Sequence, residues 1–263
     1  MSAFKDAKRI VIKIGTTTLT HSSGLPNIRR MESLVKVLAD LRNSGKEVVL
    51  VSSGAIAVGM GKIGLQKRPS DMPTKQACAA VGQCELMYTY DKMFSEYNIT
   101  VAQVLLTKYD IDQEGRAANV INTFERLLSF GIMPVVNEND TVSTEEIEIG
   151  DNDTLSAIIA ALIKADALVL LSDIDGLYTS NPKEDSSAKL IPVVDNIESI
   201  ADMAGESSSM FGKGGMITKV QAAKIACDVG ADMSIINGND PNLIYKLFDG
   251  EAVGTHFLGN KKS

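Results

Sequence analysis

The sequence predicts an α/β fold in which helices cover both faces of a mostly parallel sheet. Three observations carry that expectation. Strand-length apolar runs alternate with segments of helical period from end to end. The run Ala167 to Leu171 is continuously apolar, as a strand buried on both faces must be. The unusual loops at 15–18, 52–55, 137–140 and 172–176 all follow strands, and 212–219 comes after a further loop. In a parallel sheet such loops gather along one edge, where ligands sit.

Taken in order, Lys8 to Ile14 reads as a strand ending at Gly15-Thr16-Thr17-Thr18, where backbone N–H groups and hydroxyls can approach an anion. Lys13 stands near its end, a position also common for a snorkelling lysine. Asn27 to Ser44 carries Ile28, Met31, Leu34, Val35, Leu38 and Leu41 at helical spacing and stops at Gly45. Glu47 to Ser52 is a second strand running into Ser53-Gly54-Ala55. Gly59, Gly61 and Gly64 with Pro69 and Pro73 predict an irregular crossing. Pro73 to Tyr97 reads as a long helix whose Met87, Tyr88, Met93 and Phe94 suit a core or a subunit contact. Val101 to Leu106 is a third strand, Asp112 to Phe130 a helix closed by Gly131, and Ile132 to Val136 a fourth strand leading to Asn137-Glu138-Asn139-Asp140. Residues 141–149 alternate as a hairpin does. A helix over 154–164 precedes the Ala167 strand, and a short helix is expected over Ser199 to Ala204. A helix entered through Gly212-Lys213-Gly214-Gly215 runs to Val229, and Met233 to Ile236, a short helix and a terminal strand finish the chain.

Composition narrows the chemistry. The chain has 263 residues, 44% of them hydrophobic, and a net charge of −7, which argues against a general nucleic-acid or membrane-surface binder. No apolar run approaches the ~18–20 residues of a membrane span, and the opening Met1-Ser2-Ala3-Phe4-Lys5-Asp6 is too polar for a signal peptide. Cys78, Cys84 and Cys227 make no CxxC spacing, which fits reduced thiols in a cytoplasmic protein. With only His21 and His256, a histidine-based triad or metal site is not expected, so chemistry falls to lysines, carboxylates and backbone.

Gly150-Asp151-Asn152-Asp153-Thr154 concentrates that chemistry. Asp, Asn and Thr start helices by accepting the free N–H groups of a first turn, and three acid or amide side chains exceed what one cap needs. The glycine-rich turn at 212–215, opening a helix, presents N–H donors and the positive helix end to phosphate; a flexible linker would look similar. Lys219 lies about one turn further on. Lys13 and Lys219 together supply two cations, and an acid between them, Asp153, would hold both ammonium groups in place. Phosphoryl transfer is mostly positioning and charge stabilisation. A carboxylate acceptor, with a pKa near ~4, needs no base.

Six motifs then carry a family resemblance. Val-Ile-Lys13-Ile-Gly15-Thr, Val-Ser-Ser53-Gly54-Ala55-Ile-Ala, Val-Asn137-Glu138-Asn139-Asp140, Gly150-Asp151-Asn152-Asp153-x-Leu-Ser-Ala, Leu-Ser172-Asp173-x-x-Gly176-Leu-Tyr and Gly214-Gly215-Met216-x-Thr218-Lys219, in order over nearly the whole chain, resemble the glutamate 5-kinases. The resemblance implies the amino acid kinase fold, a three-layer αβα sandwich. It implies a single domain over 1–263, with a glutamate-binding lobe at about 1–165 and an ATP-binding lobe at 166–263. It implies ATP-dependent phosphorylation of the L-glutamate γ-carboxylate, the first step towards proline.

Residue by residue, the resemblance implies that Lys13 and Lys219 neutralise the transferring phosphoryl group and Asp153 orients them. Ser53, Asp140 and Asn152 would hold glutamate. Ser172, Asp173, Lys213, Gly214, Gly215, Met216, Ile217, Thr218 and Lys219, with Lys13, would hold ATP. Mg²⁺ would bridge its phosphates without a named protein ligand. A homodimer or homotetramer, feedback inhibition by L-proline and a glutamyl phosphate reductase as functional partner are further implications. Two departures stand out: Lys213 replaces a commonly small polar residue, and a short form is expected, without the C-terminal PUA domain of longer relatives. A uridylate kinase-like enzyme is an alternative, but it would need a basic cluster for the acceptor's phosphate. A non-catalytic nucleotide-binding regulator would have no use for both lysines.

Overall fold

The structure, a computed structural model, describes residues 3–142, 151–182, 184–198, 200 and 215–260. Within them an eight-stranded sheet forms the middle layer. The first half of the chain supplies helix α1 (Ala3–Asp6), strand β1 (Arg9–Ile14), a single turn α2 (Thr16–Leu19), α3 (Ile28–Asn43), β2 (Glu47–Ser52), α4 (Ala55–Ile63), α5 (Met72–Ser95), β3 (Val101–Leu106), α6 (Lys108–Asp112), α7 (Glu114–Ser129) and β4 (Met133–Glu138). The second half supplies α8 (Asn152–Leu162), β5 (Ala167–Ser172), β6 (Val193–Val194), α9 (Gly215–Asp228), β7 (Asp232–Asn237), α10 (Leu243–Phe248) and β8 (Thr255–Phe257).

The sheet order is β3-β4-β2-β1-β5-β7-β8-β6, and its pairs are parallel except β7 with β8. β1 is therefore the strand from which the chain winds one way to β2 and later the other way to β5. The crevice beyond the carboxyl ends of β1 and β5 is the switch point where such sheets take ligands. Ile14 pairs with Ser52 on one side and with Leu171 on the other, so the loops at 15, 53 and 172 leave the sheet side by side.

Side-chain alternation divides the interior in two. Ile10, Ile12 and Ile14 of β1 point into a core closed by α3, α5 and α10, with Leu34, Leu38, Tyr90 and Leu247 buried there. Val11 points to the opposite core, built from α7, α8 and α9 through Phe124, Leu155, Ile159, Ala223 and Cys227. Lys13 shares Val11's parity and so faces the layer that contains α8 and α9.

Local signals explain the helix starts. The Asn27 side chain accepts from Arg30 N at 3.2 Å, Asp71 from Thr74 N at 2.9 Å, and Asp151 from Thr154 N at 2.9 Å.

The largest departure from the sequence reading is α4. The irregular crossing expected from Gly59 to Pro73 is confined to residues 64–71; residues 59–63 belong to helix α4, which ends at Gly64 in the left-handed region (φ 84°). Its glycines serve close packing. A Cβ at Gly59 would lie 1.8 Å from Cys78 O, and one at Gly82 on α5 would lie 1.8 Å from Ala55 O. The two helix backbones touch where those glycines sit.

Smaller differences follow from tertiary context. The loop expected at 15–18 closes as the turn α2, the helix expected over Asp112 to Phe130 is present as α7 but is preceded by an unexpected short helix α6, and β4 extends to include Asn137 and Glu138. Phe94 is fully buried and Met87 and Met93 pack against the core, whereas Tyr88 is exposed. The hairpin expected at 141–149 falls almost wholly outside the described residues, as do Lys213, Gly214 and most of the helix expected at 199–204.

Candidate active site

The first turn of α8 divides its three polar side chains among three tasks. Asp151 caps the helix, as above. Asn152 turns towards β2, donating from Nδ2 to Ser53 Oγ at 2.8 Å, to Ser52 O at 3.1 Å and to Asn137 Oδ1 at 2.9 Å. Asp153, one residue on, faces β1 and α9 and is only 2% exposed. A buried carboxylate demands partners. Lys13 Nζ pairs with its Oδ1, and Lys219 Nζ lies 2.9 Å from its Oδ2. Lys219 also donates to Gly215 O at 3.1 Å, one turn back along its helix.

The three residues that sequence reasoning linked by charge are thus brought together from β1, α8 and α9. Burial works to raise the Asp153 carboxyl, but the charges and hydrogen bonds of Lys13 and Lys219 together prevail and hold it below the usual carboxylate range.

Beside this triad a cavity of about 870 Å³ opens over the carboxyl ends of β2 and β4. Ser53, Asp140 and Asn152 all line it, together with Asn137, Glu138 and Asp151, the 20–24 loop and the inner face of α4.

On the other side of the triad, Ser172 ends β5 beside Asn237 of β7, and its hydroxyl donates to Asp173 Oδ1 at 3.3 Å. Met216 is buried at the start of α9, Gly215 and Ile217 are exposed, and Thr218 Oγ1 lies 3.5 Å from Asp153 Oδ2. Among the described residues no group of three or more His, Cys, Asp or Glu is arranged for a metal ion.

The chain has relatives among known proteins. Residues 8–237 match the amino acid kinase family. The chain belongs to the amino acid kinase family. Several relatives bear the name glutamate 5-kinase: that of Clostridium perfringens is 50% identical, the match covering 98% of each chain. That of Carboxydothermus hydrogenoformans is 52% identical, over 98% of this chain and 70% of its own. Among solved structures, a carbamate kinase from Giardia lamblia bound to AMP-PNP superposes with a TM-score of 0.68 at 15% identity, covering 97% of this chain and all of that one. That likeness concerns the fold alone.

Asn137, which the sequence reading placed in a motif but gave no role, contributes to this candidate site. Asn137 is 2% exposed; its Oδ1 takes the Asn152 bond and its Nδ2 donates to Gln83 Oε1 at 2.9 Å. Gln83, on the inner side of α5, thereby fixes the amide that orients Asn152. The available signal was an amide closing a strand whose preceding residues are all apolar. No helix among the described residues is long and apolar enough to cross a membrane.

Proposed function

We propose that the protein transfers the γ-phosphoryl group of ATP to the γ-carboxylate of L-glutamate. The observation that supports this most is the Lys13–Asp153–Lys219 bridge at the β1/β5 switch point, placed between an acceptor-sized cavity and the β5–α9 edge. Names shared by relatives about half identical over the whole chain agree with it.

A carboxylate oxygen of glutamate attacks the γ-phosphorus in line. The new O–P bond forms as the bond to the β-bridging oxygen breaks, and ADP departs with the electron pair. The acceptor is already ionised at neutral pH, so no base is required. Lys13 and Lys219 offset the repulsion between two anions and the charge spread over the transferring group, while Asp153 keeps both ammonium groups aimed. Asp140 pairs with the substrate ammonium, and Ser53 and Asn152 hydrogen-bond its carboxylate end. Ser172, Asp173 and residues 213–219, Lys213 and Gly214 among them, carry the nucleotide.

Both Asp153 oxygens are engaged by ammonium groups, so Mg²⁺ fits here as an ion carried on phosphate oxygens and water, its preferred donors. When bound it supplies further charge neutralisation. The same reading takes 1–165 as the acceptor lobe and 166–263 as the nucleotide lobe, in a cytoplasmic homo-oligomer. It takes L-proline as a competing ligand of the acceptor site and a glutamyl phosphate reductase as consumer of the acyl phosphate.

The test is ATP consumption by purified protein offered glutamate, aspartate or UMP, with hydroxylamine trapping any acyl phosphate. Hydroxamate from glutamate alone is expected. Turnover with UMP and no hydroxamate from glutamate would overturn the assignment.

A further inference from the structure

Glutamate brings two carboxylates and one ammonium, and the residues assigned above leave its α-carboxylate without a cation. The cavity is poorly suited to an unpaired anion: Glu138, Asp140 and Asp151 all line it. Among its described lining residues a single one bears a guanidinium or ammonium group, Arg68.

The local chain explains how Arg68 reaches the cavity. Gly64, in the left-handed region, ends α4 and reverses the backbone, and the Gln66 amide secures the turn by donating to Gly64 O at 3.3 Å. Asp71 then caps α5. Between these two fixed points residues 65–70 form a short strap, and Leu65, Gln66 and Arg68 from it line the cavity. Arg68 is exposed and engages no ion pair or hydrogen bond with the described residues. Lys13 and Lys219, by contrast, are committed to Asp153, and Lys67, Arg68's neighbour on the strap, is not among the residues lining the cavity. A side chain with five donors in a planar fork is matched to a carboxylate.

We infer that Arg68 is the specificity-determining partner of the acceptor's α-carboxylate, closing over the bound amino acid from the strap between α4 and α5. This rests on the proposed glutamate kinase reading. It assigns the site a requirement for an α-amino acid, as opposed to a simple ω-amino acid, and makes a strap residue responsible.

The experiment compares L-glutamate with 4-aminobutyrate, which keeps the reacting carboxylate and the ammonium but lacks the α-carboxylate. Their Kd values are measured by calorimetry and their turnover by hydroxamate formation, for wild-type protein, Arg68→Gln and Arg68→Lys. Losing a charge-assisted hydrogen-bonding partner weakens binding about 10- to 100-fold. Arg68→Gln should therefore raise the Kd and KM for glutamate by that factor, with kcat within about twofold. It should change 4-aminobutyrate far less, so that discrimination between the two collapses. Arg68→Lys should restore part of it.

If Arg68→Gln weakens both ligands equally, or leaves glutamate unchanged, the inference is wrong. Wild-type protein that makes no hydroxamate from glutamate overturns the underlying reading and this inference with it. Wild-type protein that does, with discrimination intact in Arg68→Gln, overturns the inference alone.

Discussion

Asp153 Oδ2 and Lys219 Nζ stand 2.9 Å apart although 66 residues separate them in the chain. The other oxygen of the same carboxylate holds Lys13, from the opposite end of the sequence. One acid thus ties the carboxyl end of the central strand to α9 one turn past its start, and the two ammonium groups inherit their positions from it.

Lys219→Ala should lower kcat by about 10²- to 10³-fold, the loss typical for one transition-state donor, while the fold persists. Glutamate Kd should move little. Steady-state hydroxamate formation combined with a thermal melt checks this, and a variant with wild-type turnover would remove Lys219 from the reaction.

Asp153→Asn should be more damaging to stability, because it leaves Lys13 and Lys219 side by side without their counter-charge. Breaking such a buried arrangement costs about 3–5 kcal/mol. The pH dependence has a definite sign. The folded-state pKa of Asp153 is depressed, so its contribution is complete above the unfolded value of about 3.9 and disappears as pH falls through the folded value. The difference in unfolding free energy between wild type and Asp153→Asn should be constant from pH 7 to about 5 and shrink below about pH 4.

Much of this was legible in the sequence because the signals are local. Apolar runs flanked by glycine gave the strands, and Asp151-Asn152-Asp153 gave an over-provisioned helix start whose surplus has a structural use. What was not legible depends on contacts between distant segments. Gly59 and Gly61 are helix breakers by propensity, yet α4 forms because Gly59 lets it seat against the α5 backbone at Cys78. Asn137 could be seen as an amide after a strand, but its link to Gln83 is made across 54 residues, and nothing local announces it.

Gly82→Ala tests that seating. The added methyl would meet Ala55 O at 1.8 Å and Gly59 N at 2.5 Å, both backbone atoms that cannot swing aside. Overpacking of this kind costs about 1–3 kcal/mol or more. Because α4 forms one wall of the cavity, the glutamate KM should rise as the urea midpoint falls. An unchanged midpoint would show that the helices separate easily.

Asn137→Ala removes one of the three acceptors of Asn152 Nδ2 and leaves Gln83 Oε1 without the Asn137 donor, both in a buried setting. A stability loss of about 1–3 kcal/mol is expected. Asn152 would keep its bonds to Ser53 Oγ and Ser52 O but lose the third acceptor that fixes its amide, so KM for glutamate should increase a few-fold, up to about tenfold, with ATP KM unchanged. A shift in ATP KM instead would place this amide network on the nucleotide side.

His256 offers a pH signature independent of catalysis. It lies on β8 with both ring nitrogens buried and without a hydrogen-bond partner among the described residues, and its ring centroid is 5.5 Å from that of Phe4. Burial lowers its pKa; Asp232, the nearby acid on β7, opposes that shift without reversing it. A histidine held neutral stabilises the fold fully above its ordinary value near 6.5, and that stability declines as the pH drops towards the folded value. Wild-type protein should therefore lose stability between about pH 7 and pH 5, where carboxylates such as Asp153 remain ionised. In His256→Leu this slope should flatten, with Phe4 still packed against an apolar neighbour. Urea unfolding at pH 7, 6 and 5 on both proteins reads the difference directly; equal slopes would mean that the buried imidazole finds a proton acceptor on charging.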